Sequence, residues 1–386
     1  MLISLVFLGT AGLLAFGASL LLWHLKWLCR LPAAERLKAA DVTLRSDTVR
    51  CSVVVAARDE EARIGETVRR LLAQRDVELE LIVVNDRSRD RTGEILEGWA
   101  KADSRLRIVS VDTLPDGWLG KCHACHVGAQ AAEGEWILFT DADCWTKPDL
   151  LWRALRVAGC ERADHVTLTA GTAIAGPGLH AGSVLFHLSI ANWISGVNRD
   201  LPNSYVGFGA FNLVRAEAYR QCGGYEALRL TVLDDVRLGL LLRRAGKRTR
   251  AFLGADDVEA HWGSSLWKVV GLMEKNYFAA LEFRVLLALG LIAFLALLGG
   301  VVVLGAVGGT TAGWAAALSP FCLSVPGAIL ARRLGWSGWV ALGVPFAIPV
   351  FVCALANSTY QTLRNGGVRW RDTFYSIQAL RAGEVR

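Results

Sequence analysis

The feature that most constrains this chain is a run of 47 residues, from 285 to 331, that contains no charged side chain. A helix that crosses a bilayer needs about 20 apolar residues, so this block is long enough for two. Two further blocks, residues 1–23 and 334–363, also lack charge. We therefore predict membrane segments on both sides of a central region, about 45–283, whose composition is typical of a soluble domain.

The first apolar block is predicted to be a transmembrane anchor at residues 1–24. It is longer than the apolar core of a signal peptide and lacks a basic segment in front of it. Positive charges follow instead, at Lys26, Arg30, Arg36 and Lys38. The positive-inside tendency then places the central domain in the cytoplasm, at the inner or plasma membrane.

The C-terminal apolar region is predicted to contain two transmembrane helices within 285–331, separated by a Gly/Thr turn at 308–313. A third apolar segment, 335–356, contains Pro345 and Pro349, which interrupt helices. If this segment spans the membrane, the basic tail at 357–386 lies outside, against the charge tendency. A re-entrant or kinked hairpin would keep the tail cytoplasmic, so both arrangements remain open.

The central domain, residues 45–263, alternates short apolar strands with helical patterns. Such alternation predicts an α/β fold with a mostly parallel sheet, and ligands bind at the carboxyl ends of the strands of such sheets. Strands are predicted at 53–57, 79–86, 107–111 and 135–140, and a helix at 120–133. Most of these strands run into polar or acidic residues, which locates a candidate site.

Three acidic motifs carry candidate chemistry. Asp141 and Asp143, in an Asp-x-Asp motif at a strand end, suit Mg²⁺ or Mn²⁺, which also bind phosphates. Asp86 ends another strand, where a carboxylate can accept a hydrogen bond from a uracil ring. Asp234 and Asp235 open a helix, where the dipole alone favours acids but where a general base is also well placed.

Taken together, these motifs resemble those of family 2 glycosyltransferases with the GT-A (Rossmann-like) fold, over roughly residues 48–283. With its membrane segments, the chain is similar to the hopene-associated, ceramide and carotenoid glycosyltransferase branch. The resemblance implies nucleotide-sugar contacts, with UDP the expected nucleotide, from Arg58, Glu60, Asp86, Lys121 and Asp141. It also implies a divalent metal, Mg²⁺ or Mn²⁺, held by Asp143 and Asp141.

The same resemblance implies that Asp235 is the general base of an inverting transfer, with Asp234 beside it. The family usually has Glu-Asp here, so the identity of the base stays open between the two. A related membrane branch carries a Gln-x-x-Arg-Trp or Arg-x-x-Arg-Trp motif; this chain keeps Arg369-Trp370 but has Gly366 at the first position. These two residues are expected either to contact the acceptor or diphosphate, or to anchor the chain at the membrane surface.

The acceptor is predicted to be a membrane lipid of the hopanoid, sphingolipid, carotenoid or polyprenyl type. The reason is a predicted amphipathic helix at 264–284, which would lie on the bilayer next to the domain. The net charge of +6 clusters in arginines near the apolar blocks, which favours a membrane partner over nucleic acid. The oligomeric state is left open.

Two other functions remain as alternatives. A processive polysaccharide synthase shares the motifs but usually has more membrane helices than are predicted here. The motif Cys122-His123-Ala124-Cys125-His126 matches the attachment site of c-type haem, which would make the chain a membrane-anchored redox protein. Thiols stay reduced in the cytoplasm, and small residues after Lys121 instead predict a helix packed closely on the sheet.

Overall fold

The computed structural model describes residues 2–39, 49–172, 176–261, 268, 270–271 and 273–385. The chain divides into two compact units. The sheet unit comprises Leu28–Ala173, Gly196–His261 and Gly383–Arg386. The helical unit comprises Met1–Trp27, Ile174–Ser195 and Trp262–Ala382.

The elements are numbered here in chain order. The helices are α1 (Leu2–Leu25), α2 (Ala34–Ala39), α3 (Ile64–Leu72), α4 (Thr92–Ala102), α5 (Gly120–Ala131), α6 (Leu150–Cys160), α7 (Pro177–Ser189), α8 (Ala191–Asn198), α9 (Ala216–Gln221), α10 (Asp234–Arg244), α11 (Tyr277–Ala280), α12 (Val285–Gly308), α13 (Thr311–Leu318), α14 (Ser324–Arg333), α15 (Val344–Asn365) and α16 (Ile377–Gly383). The strands are β1 (Arg50–Ala57), β2 (Glu78–Asp86), β3 (Leu106–Val111), β4 (Trp136–Asp141), β5 (Cys144–Thr146), β6 (His165–Thr169), β7 (Gly171–Thr172), β8 (Asn212–Arg215), β9 (Thr249–Leu253), β10 (Val258–Ala260), β11 (Gly367–Trp370) and β12 (Thr373–Ser376).

A seven-stranded sheet in the order β3-β2-β1-β4-β8-β6-β9 forms the centre of the sheet unit. Its first four strands run parallel, and β8 runs antiparallel to both of its neighbours. The consecutive valines of β1 and the Leu81–Val84 run of β2 are fully buried, as parallel strands covered on both faces require. The predicted α/β fold with a mostly parallel sheet is confirmed, and the four predicted strands correspond to β1 to β4.

Helix α5 packs closely on this sheet. A methyl group added at Gly128 would collide with Val54 and lie 3.1 Å from Val84 Cγ2. Ala124 and Cys122 on the same helix are completely buried. The small residues after Lys121 therefore serve close helix–sheet packing, as the sequence predicts.

Four helical segments of the helical unit are long and apolar enough to cross a membrane: Leu2–Leu25, Val285–Gly308, Thr311–Arg333 and Gly338–Asn365. The predicted Gly/Thr turn separates the second from the third. Gly309 has a left-handed φ of 63° and ends α12, and the Thr310 side chain then accepts a hydrogen bond from the Gly313 amide.

The prediction of a re-entrant hairpin within 335–356 needs correction. The structure has one helical run, Gly338–Asn365, made of a 3₁₀ segment and α15. Pro345 lies in the first turn of α15, where its missing amide costs nothing. Pro349 lies inside the helix without reversing the chain, so this segment has no hairpin.

The predicted continuous helix at 264–284 also needs correction. Residues 262–267, 269 and 272 lie outside the described part of the chain. Over 273–284 the structure contains the short helix α11, which ends at Ala280; Glu282 and Phe283 then have φ values of 53° and 55°. This backbone folds Phe283 back onto Phe278, where the two buried rings meet edge to face. The chain thus packs Phe283 on Phe278 instead of continuing as one helix to residue 284.

Candidate active site

The loops after β1 and β2 are joined by hydrogen bonds at the carboxyl end of the sheet. The Asp59 amide donates to Ser88 Oγ over 3.1 Å, and the Glu60 amide donates to Thr92 Oγ1 over 2.8 Å. Arg58 precedes these residues and its side chain is largely buried. Glu60, which is predicted to contact the nucleotide-sugar, is thus held against the loop that follows Asp86, and Arg58 lies two residues before it.

Asp86 lies at the end of β2 beside the first turn of α5. Its carboxylate accepts two hydrogen bonds from the Arg87 guanidinium, at 2.7 and 2.9 Å. A methyl group at Gly120 would lie 2.9 Å from Asp86 Oδ2, so the two segments touch. Asp90 Oδ1 accepts from the Thr92 amide at the start of α4. Asp90 therefore caps the start of α4, and the buried Asp86 lies against the first turn of α5.

Lys121, in the first turn of α5, joins two of the acidic motifs. Its Nζ lies 2.8 Å from Asp141 Oδ1 and 3.5 Å from Asp234 Oδ2. Burial alone would lower the pKa of Lys121, but the carboxylates of Asp141, Asp234 and Asp235 outweigh it and raise the pKa well above its ordinary value. Lys121 is therefore a permanent positive charge between the strand-end acid and the acid pair.

The two members of the acid pair have different environments. Asp234 is buried and accepts a hydrogen bond from the Tyr225 hydroxyl over 3.0 Å. Asp235 accepts from two backbone amides, those of Gly209 at 2.7 Å and Val236 at 2.8 Å. Burial, and after it the charge of Asp234, raises the pKa of Asp235 to about 6. A carboxylate with this pKa is suited to accept a proton near neutral pH.

The loop that contains Gly207 and Gly209 completes the site, and sequence reasoning missed it. Besides donating to Asp235, Gly209 accepts a hydrogen bond at its carbonyl from the Asp141 amide over 3.0 Å. A side chain at Gly207 would collide with the Asp235 carbonyl. The signal available was the Gly207-Phe208-Gly209 sequence before a strand, because closely spaced glycines often mark a close backbone approach.

The Asp-x-Asp motif forms a group of possible metal ligands. One oxygen or sulfur atom from each of Asp141, Asp143 and Cys144 lies within 4.8 Å of the others. Burial raises the pKa of Asp143 to about 6, with further contributions from Asp141 and Glu60. Carboxylates that raise one another's pKa in this way fit a divalent cation, and their oxygens are the ligands that Mg²⁺ and Mn²⁺ prefer. His261 donates its amide to the Asp143 carbonyl, with its ring packed on a neighbouring tryptophan.

Comparison with known proteins identifies this arrangement. Residues 52–223 match the family model described as Glycosyl transferase family 2. The chain contains a family 2 glycosyltransferase domain. The match covers β1 to α9, with the Asp-x-Asp motif inside it and the acid pair of α10 just beyond it.

Relatives of the glycosyltransferase domain include 4,4'-diaponeurosporenoate glycosyltransferases. The protein from Staphylococcus haemolyticus (strain JCSC1435) is 35% identical over 92 residues, 24% of each chain. That from Staphylococcus aureus (strain USA300) is 26% identical over 209 residues, 53% of this chain and 54% of the relative. The chain thus spans about half the length, or less, of these curated relatives.

A solved structure has the same fold. The mannosyltransferase from Pyrobaculum calidifontis, in complex with GDP-Man and Mn²⁺, aligns with 93% of this chain and 99% of its own. The TM-score is 0.51 and the sequence identity 18%, a likeness that concerns the fold alone. The GT-A fold expected from the sequence is confirmed.

The Cys-x-x-Cys-His motif belongs to the packing of the glycosyltransferase domain. Cys122 Sγ donates to the Thr231 carbonyl over 3.5 Å, and both Cys122 and Cys125 are buried. Burial raises the pKa of both thiols, which keeps them protonated. His126 packs against the ring of Trp118. Buried, protonated thiols in a packed helix are poorly suited to covalent haem attachment.

Arg369 and Trp370 lie outside the glycosyltransferase domain, in the β11–β12 hairpin of the helical unit. Arg369 is exposed and pairs across the hairpin with Phe374. Trp370 is partly buried, with Lys275 Nζ 3.5 Å from the centre of its ring. Their assignment to the acceptor or the diphosphate stays a prediction.

Proposed function

We propose that this protein transfers a sugar, with inversion, from a nucleotide-sugar to a hydroxyl group of a membrane lipid. The observation that carries the proposal is the contact of Lys121 with both Asp141 and Asp234, which places the Asp-x-Asp strand end next to the acid pair. A family 2 glycosyltransferase domain supplies the reaction class.

The roles of the acidic residues follow from their surroundings. Asp235, with its raised pKa, takes the proton of the acceptor hydroxyl. The Gly209 and Val236 amides fix its orientation. Asp234 and Asp141 hold the Lys121 ammonium in place. Asp141 and Asp143 would hold Mg²⁺ or Mn²⁺, which would offset the negative charge on the leaving diphosphate.

The donor is proposed to be UDP-linked. Arg58, Glu60 and Asp86 line the carboxyl ends of β1 and β2, where nucleotides bind in sheets of this kind. Arg87 uses one lone pair on each Asp86 oxygen, so the carboxylate can still accept a hydrogen bond from an imide N–H.

The lipid acceptor is supported by two observations. Four helical segments are long and apolar enough to cross a bilayer. The staphylococcal relatives are named 4,4'-diaponeurosporenoate glycosyltransferases, which favours an apolar acceptor for this chain as well. A processive polysaccharide synthase is the alternative, and it predicts a polymeric product.

We also propose a membrane topology in which Gly338–Asn365 does not cross. Residues on both sides of the three C-terminal apolar segments belong to the sheet unit, since Arg237 on α10 pairs with Glu384 beyond them. In the proposed topology an even number of the three segments therefore crosses. The Arg333 guanidinium donates to the Leu25 carbonyl, which places the end of α14 level with the end of α1.

Contacts of α15 support the proposal that this segment stays on one side. Ser358 accepts a hydrogen bond from the Phe278 amide over 3.0 Å and donates to the Glu274 carbonyl, and both residues precede α12. The Gly338–Asn365 helix therefore starts near the end of α14 and runs back to the entrance of α12. It would lie within one leaflet, which is the cytoplasmic one according to the charge tendency.

A transfer assay tests the function. Membranes that contain the protein would be incubated with Mn²⁺ and, separately, with radiolabelled UDP-glucose, UDP-galactose, UDP-N-acetylglucosamine and GDP-mannose. Label from a UDP-sugar should appear in the organic phase, and Asp143→Asn should abolish it. Label only in a water-soluble polymer would favour the synthase, and label only from GDP-mannose would overturn the UDP assignment.

A further inference from the structure

A buried ion pair lies on the helix that carries the acid pair. Arg237 Nε lies 2.7 Å from Glu384 Oε1, and the two side chains are 6% and 4% exposed. A buried pair of this kind seldom adds net stability compared with apolar residues of the same size. A buried pair can instead fix one conformation of the segments that it joins.

The Arg237 guanidinium also links α10 to the glycine loop. Its Nη1 donates to the Tyr205 hydroxyl over 3.1 Å. Tyr205 lies two residues before Gly207, whose backbone touches the Asp235 carbonyl, and the Gly209 amide donates to the Asp235 carboxylate. Arg237 thus contacts the same two segments that orient Asp235.

The residue before Glu384 packs on the segment that leads into α10. A methyl group at Gly383 would lie 2.5 Å from Leu230 Cβ, so only a glycine fits there. The same segment is bound to the start of α5, since the Arg229 carbonyl accepts from the Leu119 amide over 2.7 Å. Residues 383–384 therefore contact both the approach to α10 and its first turns.

We propose that Glu384 is a positioning residue for sugar transfer, which acts through Arg237 to hold α10 so that Asp235 points at the acceptor. The proposal rests on the proposed function, in which Asp235 is the base. Misplacement of a reacting group by about 1 Å can cost about 100-fold in rate. Glu384→Gln should therefore lower kcat by about 10- to 100-fold. Donor binding should be unchanged, because the residues proposed to contact the donor lie at the carboxyl ends of β1, β2 and β4, whereas this pair joins α10 to residue 384.

Three variants test the proposal in the full-length chain: Glu384→Gln, the double variant Arg237→Leu/Glu384→Leu, and the control Glu97→Gln on the exposed face of α4. Measurements are kcat with the sugar donor that is active in the transfer assay, UDP affinity by calorimetry, and the thermal unfolding midpoint. The double variant removes both charges, so it should fold even where the single variant leaves a buried charge unpaired.

We expect the double variant to recover the unfolding midpoint of the wild type while kcat stays at least 10-fold low and UDP affinity is unchanged. The control should match the wild type in all three measurements. The proposal is overturned if Glu384→Gln keeps kcat within twofold, or if the double variant recovers kcat together with stability. Full activity in Asp235→Asn would instead contradict the proposed function, so the two failures are distinguishable.

Discussion

Asp235 and Asp234 are neighbours in the chain, yet their surroundings suit them to different tasks. Asp234 is tied to Tyr225 and Lys121, whereas Asp235 is held by backbone amides alone among its described hydrogen bonds. We therefore expect Asp235→Asn to reduce transfer by about 10²- to 10⁴-fold, the usual contribution of a general base. UDP affinity should be retained. An initial-rate assay with parallel calorimetry measures both, and an active Asp235→Asn enzyme would rule this residue out as the base.

The raised pKa of Asp235 predicts a pH dependence. The base must be ionised, and burial beside Asp234 raises its pKa to about 6. Transfer at saturating Mn²⁺ and donor should be nearly constant above pH 7 and fall about tenfold per pH unit well below pH 6. A profile of kcat from pH 5 to 8 shows this. A flat profile, or one that falls as pH rises through 6, would contradict the assignment.

At the scale of residues, the sequence predicts the identity of the candidate acidic residues more fully than their arrangement in space. The positions of Asp86, Asp141 and Asp143 follow from hydrophobic strands that end in acids. The bridge made by Lys121 does not, because residues far apart in the chain meet only when the sheet is folded. The role of Gly209 could not be predicted for the same reason. Gly209 contacts Asp235 and Asp141 through its own backbone amide and carbonyl, which leave no signature in the sequence.

At the scale of elements, close packing of α5 on the sheet predicts a contrast between two glycines. Gly128→Ala should destabilise the fold by about 1–3 kcal/mol, because its methyl group would overlap Val54. Gly98→Ala, on α4 with no atom within 4 Å of the added methyl group, should be neutral or slightly stabilising. Thermal unfolding midpoints of the two variants give the comparison. Equal midpoints would mean that α5 is not packed as described.

His165 on β6 predicts a dependence of stability on pH. It is completely buried, with Nδ1 bonded to Thr249 Oγ1 and Nε2 to the Asn212 side chain, and burial lowers its pKa to about 4. The unfolded chain takes up the proton first, so this contribution is complete above about pH 6.5 and is lost as pH falls toward 4. At pH 5 the loss should be about 2 kcal/mol.

The measurement is a pair of denaturation curves at pH 7 and pH 5 for the wild type and for His165→Gln. Other groups titrate in this range as well, so the comparison uses the difference between the two proteins. The variant should lose less stability than the wild type on acidification. An equal loss in both proteins would show that His165 is accessible to protons in the folded state.

Element boundaries were harder to predict where tertiary contacts override local pattern. The four strands and α5 follow from runs of β-branched residues and from small-residue spacing. Within the helix expected at 264–284, the described residues after 273 form one short helix that ends at Ala280, and Phe283 then packs on Phe278, a contact that the sequence pattern does not show. Prolines suggested a hairpin in 335–356, but one of them lies in the first turn of α15, where it fits.

At the scale of the whole molecule, the proposed topology predicts which sites a membrane-impermeant reagent reaches. Gly308→Cys lies at the turn between the first two C-terminal spans and should react in intact cells. Arg371→Cys, in the turn of the β11–β12 hairpin, should react only after the membrane is opened. Wild-type cells provide the background from the nine native cysteines. Reaction of Arg371→Cys in intact cells would show that Gly338–Asn365 crosses the bilayer.

The central claim is that a membrane lipid receives the sugar, with Asp235 as the general base that takes the proton of the lipid hydroxyl. The most direct test is mass spectrometry of total lipids from cells that express the wild-type chain or Asp235→Asn at equal levels. We predict a lipid whose mass is increased by one sugar residue in the wild-type cells and not in the variant. Identical lipid profiles in the two strains, with the wild-type protein present in the membrane, would contradict the account.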